Sequence, residues 1–200
     1  MTGAGPDSEM SPQNGMLVVI SGPGGVGKDT LIAMLRERDP RLCYSVSYST
    51  RPRRSYEVDG KHYKFVDEDR FEQLVTEGEL LEHVRVNGYL YGSSATRVEE
   101  ALARGRDVIL KLDVQGGEQV RQRRPDAVLI FISPPSMEEL MRRRRDRATE
   151  PDAVIQARQE LAEVEMGYAE RYDHVVVNDD ADRAAGQIEA ILEQERRRRG

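Results

Sequence analysis

Two hundred residues, 38% of them hydrophobic, are enough for one α/β domain with small inserted lobes. A net charge of −6, with 33% of residues charged, gives a strongly charged surface and argues against a general nucleic-acid binder. The single cysteine, Cys43, rules out a disulfide scaffold, and no apolar run approaches the roughly 20 residues that a membrane span needs.

Residues 1–14 are rich in glycine, proline, serine and acid and lack the apolar core of a signal sequence. They read as a disordered tail, and the expected location is the cytoplasm. The apolar run 16–20 reads as a buried strand and 31–35 as a helix. Between them lies Ser21-Gly22-Pro23-Gly24-Gly25-Val26-Gly27-Lys28-Asp29-Thr30. Strand, glycine-rich turn, Gly-Lys and helix form the pattern of a phosphate-binding loop. The glycines let successive N–H groups point at one phosphate, and the helix adds the positive end of its dipole. Lys28 supplies a mobile cation for the β- and γ-phosphates. The usual pattern places Ser or Thr directly after the lysine to hold Mg²⁺. Here Asp29 stands there, and Thr30 follows one place late.

Cys43 lies in a second strand, 42–46, where it reads as a small buried residue. A polar loop dense in donors follows at 47–54, then a turn at 57–60. Residues 62–66 alternate like a strand, and Asp67 is placed to cap a helix at 70–76. Segments 79–86 and 88–91 read as a hairpin turning at Asn87-Gly88. A helix at 94–104 leads to a buried strand, 107–112, that ends at Asp113. A helix over 117–124 and a third core strand, 127–132, come next. Pro134-Pro135 stop that strand, and Ser136 with Glu139 suggests a capping box for a helix through Arg145. Helical character breaks at 146–152 and resumes over 153–171. A short strand, 174–177, and a helix, 180–199, close the chain, with Arg196 to Arg199 read as a frayed, solvated end. Buried strands alternating with helices predict a parallel α/β sheet. The short, hairpin-linked strands between 43 and 91 predict a small mixed lobe inserted into it.

Within that lobe Ser47, Arg51, Arg54, Tyr63 and Tyr91 form a donor set. Arginine forks suit phosphate oxygens, and tyrosine hydroxyls add neutral donors. Opposite a nucleotide loop they suggest a second, accepting phosphate. Glu82 could accept from N1–H and the 2-amino group of guanine together, an edge adenine lacks, although alone it also fits a solvated hairpin residue. Asp113 ends a buried strand where an acid near Mg²⁺ would sit, or where a cap for the next helix would sit. Arginines 142 to 145, Arg147 and Arg158 flank the break near Thr149, and one or two could clamp transferring phosphates.

The ordered set of segments resembles guanylate kinase from about residue 16 to residue 191. It is carried by Ser-Gly-Pro-Gly-Gly-Val-Gly-Lys (21–28), Ser-Val-Ser-Tyr-Ser-Thr-Arg (45–51), Glu-Val-Asp-Gly (57–60), Tyr-Gly-Ser (91–93), Asp-Val-Gln-Gly (113–116), Ser-Pro-Pro-Ser (133–136) and Val-Val-Asn-Asp-Asp (176–180). The resemblance implies a P-loop NTPase-like parallel core with helices on both faces (15–46 and 94–193), an inserted GMP-binding lobe (47–93), a helical lid (142–158) and a basic tail (194–200). It implies phosphoryl transfer from ATP to GMP with Mg²⁺. Gly22, Pro23, Gly24, Gly25, Val26, Gly27, Lys28, Asp29 and Thr30 would hold ATP, with Asn178 beside adenine. Ser47, Glu82 and Ser93 would surround guanine with Asp113 close by, while Arg51, Arg54, Tyr63 and Tyr91 hold the GMP phosphate. Lys28, Arg147 and Arg158 would neutralise the transferring group, and Asp29 and Asp113 are the candidate metal ligands. The implied partners are small molecules, with no nucleic acid or membrane, in a monomer or homodimer.

Four positions depart from the family pattern. Asp29 replaces Ser or Thr, Lys111 replaces an acid, Tyr48 a usual His and Tyr56 a usual Gly. Asp after the loop lysine also occurs in ribose 1,5-bisphosphate phosphokinases of the same fold, and scaffold relatives of guanylate kinase bind partners without catalysis. Asp29 opens a helix and Lys111 nears the end of an adjacent strand, so the two opposite charges could meet.

Overall fold

The computed structural model describes residues 15–145 and 152–199, without the side chains of Arg144 and of residues 152–158. Its strands are β1 (Leu17–Ser21), β2 (Leu42–Tyr44), β3 (Tyr48–Ser49), β4 (Lys64–Phe65), β5 (Leu80–Val86), β6 (Tyr89–Ser94), β7 (Asp107–Lys111), β8 (Val128–Ser133) and β9 (His174–Val177). Its helices are α1 (Lys28–Arg38), α2 (Glu68–Thr76), α3 (Ala95–Ala103), α4 (Val114–Arg123), α5 (Met137–Arg145), α6 (Asp152–Met166) and α7 (Ala181–Arg199).

Five strands form a parallel sheet in the order β2-β7-β1-β8-β9. Every residue of the central strand β1 is buried. Successive side chains point to opposite faces, so a strand covered on both sides must be apolar throughout. Val18 and Ile20 pack with Leu31, Leu35, Ile188 and Leu192 from α1 and α7. Leu17 and Val19 pack on the other face with Val98, Leu102 and Val120 from α3 and α4. The loops leaving the C-terminal ends of β1, β7 and β8 are thereby held at one edge of a rigid core, where ligands of such sheets bind.

The second sheet, in the order β4-β3-β6-β5, packs Tyr48 and Leu80 against Phe71 and Leu74 of α2. Asn87 and Gly88, with φ of 50° and 85°, make its tight hairpin turn.

Several elements differ from expectation. Only Lys64–Phe65 of the strand expected at 62–66 is extended, because Asp59 Oδ1 takes the Phe65 N–H at 2.8 Å and draws the preceding residues into a turn. α4 starts at Val114, three residues early, because Asp113 caps it through the Gly116 N–H at 2.8 Å. The helix expected over 153–171 breaks at Gly167, and a 3₁₀ turn, Ala169–Arg171, follows. Ser136 Oγ accepts from the Glu139 N–H at 3.1 Å, but the Glu139 carboxylate turns to Arg142 and Arg143, so half of the capping box forms. Cys43 is half-buried, because β2 is an edge strand.

The basic end is not frayed. α7 runs to Arg199, and Arg196 is anchored by Nε to Asp107 Oδ2 at 2.6 Å and by Nη2 to Asp39 Oδ2 at 2.8 Å. Asp107 also accepts the Met16 N–H at 2.7 Å, so this arginine ties the last helix to the starts of β1 and β7. Residues 146–151 of the expected lid lie outside the described residues, Arg147 among them, as does the side chain of Arg158; the rest of 142–158 belongs to the end of α5 and the start of α6.

Candidate active site

The loop between β1 and α1 needs glycine at two contacts. Gly22 has φ of +140°, and a Cβ there would sit 2.2 Å from Ile132 O. Gly27 has φ of +106°, and a Cβ there would sit 2.5 Å from Asn178 Nδ2. Both are conformations that L side chains rarely adopt. Gly27 is also the N-cap of α1 and offers no side-chain cap, so the first N–H groups of the helix are left for a ligand. Lys28 Nζ folds back over the loop and donates to Gly22 O at 2.5 Å and Pro23 O at 3.2 Å. Burial pushes the Lys28 ammonium down to about 8, with nearby Glu165 pulling the other way, so it is still mostly charged at neutral pH. Asn178 supports the loop from β9: its Nδ2 donates to Val26 O at 2.8 Å and its backbone N–H to Ser133 O at 2.8 Å. Val26 is buried in the core, and Thr30 is exposed on α1.

A cavity of about 310 Å³ lies between this loop and the second sheet. It gathers Lys28, Ser47, Arg51, Arg54, Tyr63, Glu82, Tyr91 and Asp113, residues far apart in the chain. Ser93 lies under it, its Oγ 3.3 Å from Ser47 Oγ. Two further charged residues face the same space, Lys111 and Glu165.

Arg51 is held in place. Its Nη1 donates to Glu57 Oε2 at 2.7 Å and its Nη2 to Glu57 Oε1, while its guanidinium lies 5.1 Å from the centre of the Tyr63 ring. Glu57 also accepts the Arg54 N–H at 2.8 Å, and its backbone O accepts Arg53 Nη1 at 2.6 Å. The Arg51 bonds hold the buried Glu57 carboxyl down to about 2. The sequence reading gives Glu57 a turn and a place in the Glu-Val-Asp-Gly stretch, but no role in the site. The available signal was an acid six residues after Arg51, in a segment otherwise full of donors. Arg54 Nη1 reaches Tyr56 Oη at 2.8 Å, and Tyr63 meets Tyr91 edge-on at 5.7 Å.

Glu82 is 1% exposed, and its Oε2 has no hydrogen-bond partner among the described residues. Burial pushes its carboxyl up to about 7, Ser93 bonds oppose this, and neighbouring Asp113 adds to it. A buried acceptor without a donor costs free energy, so this oxygen calls for a ligand N–H. Asp113 both caps α4 and lines the cavity, and burial raises its carboxyl as well.

Asp29 and Lys111 meet: Lys111 Nζ donates to Asp29 Oδ1 at 2.6 Å. The register of β7 against β1 sets Lys111 opposite Ile20, beside the helix that Asp29 opens. Burial works against the Lys111 charge, but Tyr44, Tyr63 and Asp29 outweigh it and raise its pKa. Glu165, on α6, is buried against Lys28 and had no signal in the sequence beyond a helical position.

Among the described residues no group of three or more His, Cys, Asp or Glu could cage a metal. Single carboxylates at the phosphate loop, Asp29, and in the cavity, Asp113, are hard oxygen donors. They fit a Mg²⁺ that takes its remaining ligands from phosphate and water. No helix among the described residues is long and apolar enough to cross a membrane.

A parallel sheet with a phosphate loop after its central strand, facing an inserted sheet that carries arginines, defines a P-loop nucleotide kinase. The guanylate kinase family model matches residues 14–195. The chain is 48% identical over 191 residues to guanylate kinase of Thermus thermophilus, covering 96% of this chain and 85% of that one. It is 43% identical over 182 residues to guanylate kinase of Carboxydothermus hydrogenoformans, covering 91% and 89%. The crystal structure of guanylate kinase from Anaplasma phagocytophilum superposes with a TM-score of 0.76 at 35% identity, covering 92% of this chain and 87% of that one. The chain belongs to the guanylate kinase family.

Proposed function

We propose that the protein transfers the γ-phosphoryl group of ATP to GMP, giving ADP and GDP. The observation that carries this reading is the orphan Oε2 of Glu82, buried in the cavity that also holds Lys28 and the Arg51 fork. A carboxylate there would accept from guanine N1–H and the 2-amino group, with Ser47 and Ser93 beside it. Arg51, Arg54, Tyr63 and Tyr91 hold the acceptor phosphate. The loop N–H groups and Lys28 hold the β- and γ-phosphates of ATP, with Asn178 on the adenine side. Asp29 and Asp113 would hold Mg²⁺, which would supply further charge neutralisation.

The attacking oxygen belongs to a phosphate that is already anionic, so no general base is required. What this chain's residues contribute is alignment and cancellation of charge. Arg147 and Arg158 are assigned to the transferring phosphoryl on the family resemblance. Adenine presents no donor pair to Glu82, and a site left with unpaired buried groups discriminates strongly.

The test is ADP formation with GMP, dGMP, AMP, UMP and ribose 1,5-bisphosphate as acceptors. GMP should exceed AMP by about 10³-fold or more. Equal rates with AMP, or activity confined to the ribose phosphate, overturns the assignment.

A further inference from the structure

We propose that Asp29 and Lys111 are an exchangeable counter-ion pair: Lys111 neutralises Asp29 until Mg²⁺-ATP binds, the carboxylate then passes to the metal, and the freed ammonium turns to the phosphates. This rests on the nucleotide-kinase reading above and couples two of its residues.

The juxtaposition has three physical features. Asp29 lies in the first turn of α1, whose uncapped N–H groups face the ligand. A carboxylate there suits the helix dipole but repels phosphate oxygens unless a cation intervenes. The pair is open to water at its carboxylate, since the Asp29 side chain is 84% exposed, against 21% for Lys111. The exposed half is resolvated when the pair opens, so breaking it costs less than breaking a pair buried on both sides. The Arg51–Glu57 pair in the neighbouring lobe is the contrast, with side chains only 11% and 5% exposed, and it is built to stay closed.

Lys111 is placed to act once released. It ends β7 on the rigid core and lines both the 310 Å³ cavity and an adjoining one of about 570 Å³. Lys28, Tyr44 and Tyr63 are among the groups around it, and its positive charge is already felt at Lys28. A flexible four-carbon stem lets the ammonium swing from Asp29 toward phosphate oxygens held by the loop. The exchange replaces one cation at Asp29 with another and adds a second positive charge beside Lys28, so metal binding and phosphate neutralisation become coupled.

Calorimetric titration with ATP, in Mg²⁺ and in EDTA and without any acceptor, tests this in the full chain. The quantity read is the ratio of the Mg²⁺-ATP affinity to the metal-free ATP affinity. Lys111→Met leaves Asp29 uncompensated against bare ATP, so the ratio should rise about tenfold. Asp29→Asn removes the metal ligand and the repulsion together, so the ratio should fall below the wild-type value by a similar factor. The double variant should resemble Asp29→Asn alone, which is a non-additive outcome. Lys111→Arg keeps the charge and should keep the ratio. Should Lys111→Met fail to fold, the fall with Asp29→Asn decides the matter, since its side chain is solvent-exposed. An unchanged ratio in Asp29→Asn, or effects of the two substitutions that simply multiply, overturns the exchange while leaving the kinase reading intact. Failure of the acceptor panel overturns GMP as substrate without moving this ratio.

Discussion

The loop at 22–27 is built from backbone, while the anion site on the second sheet is built from side chains. In the loop, two glycines fold the chain, the helix end supplies N–H groups, and Asn178 is the brace. On the second sheet, Arg51 must be oriented by a carboxylate that is itself bound by the Arg51 fork and the Arg54 N–H. The difference shows where each site is vulnerable. A backbone site fails when its turn is filled or its one cation is removed. A side-chain site fails when its support is removed, even where that support touches no ligand.

Lys28→Met gives the largest expected loss, because it removes a cation fixed at the loop. Turnover should fall by about 10²–10³-fold. Steady-state rates at saturating GMP, with thermal melts showing an intact fold, check this. Glu57→Ala should spare the loop and disable the other site. Arg51 loses its bidentate partner, and affinity for GMP should fall by roughly 10–100-fold. Fluorescence titration with GMP reads the change.

A third effect, on stability, comes from Glu82, whose buried Oε2 has no hydrogen-bond partner among the described residues. Glu82 titrates near 7 in the folded chain, above the ordinary carboxylate range. The folded state therefore holds this proton more tightly than the unfolded state does. Stability contributed by the neutral form is full below about 4.5 and is lost as pH climbs through about 7, on the order of 3 kcal/mol in total. Glu82→Gln should flatten that decline in denaturant unfolding measured from pH 5 to 8. GMP affinity of the unmodified chain should move the opposite way, rising with pH, because the carboxylate is the form that accepts from guanine. A Glu82→Gln profile as steep as the original removes the assignment of that titration.

The sequence disclosed these two regions unequally. The loop was legible because a backbone site is contiguous: Gly22, Gly27 and Lys28 do their work within one turn. The parallel core was legible because strands buried on both faces are apolar throughout, as in β1 and β8. Glu57 was hidden because an acid in a polar turn looks the same whether it is solvated or locked in a fork. Glu165 was hidden because its burial depends on how α6 docks over Lys28, which no local pattern encodes. Arg196 was misread for the opposite reason. A run of arginines looks solvated until the fold sets Asp39 and Asp107 against one member of it. The pairing of Asp29 with Lys111 was visible as two opposed charges, but only the register of β7 on β1 made it a contact.

The arrangement amounts to two separately built anion sites facing one cavity. Side-by-side calorimetric titrations of Lys28→Met and Glu57→Ala with Mg²⁺-ATP and with GMP test it most directly. Lys28→Met should lose affinity for ATP and bind GMP within about twofold of the unmodified chain, and Glu57→Ala should do the reverse. Loss of both ligands by either folded variant, or of neither by both, would contradict it.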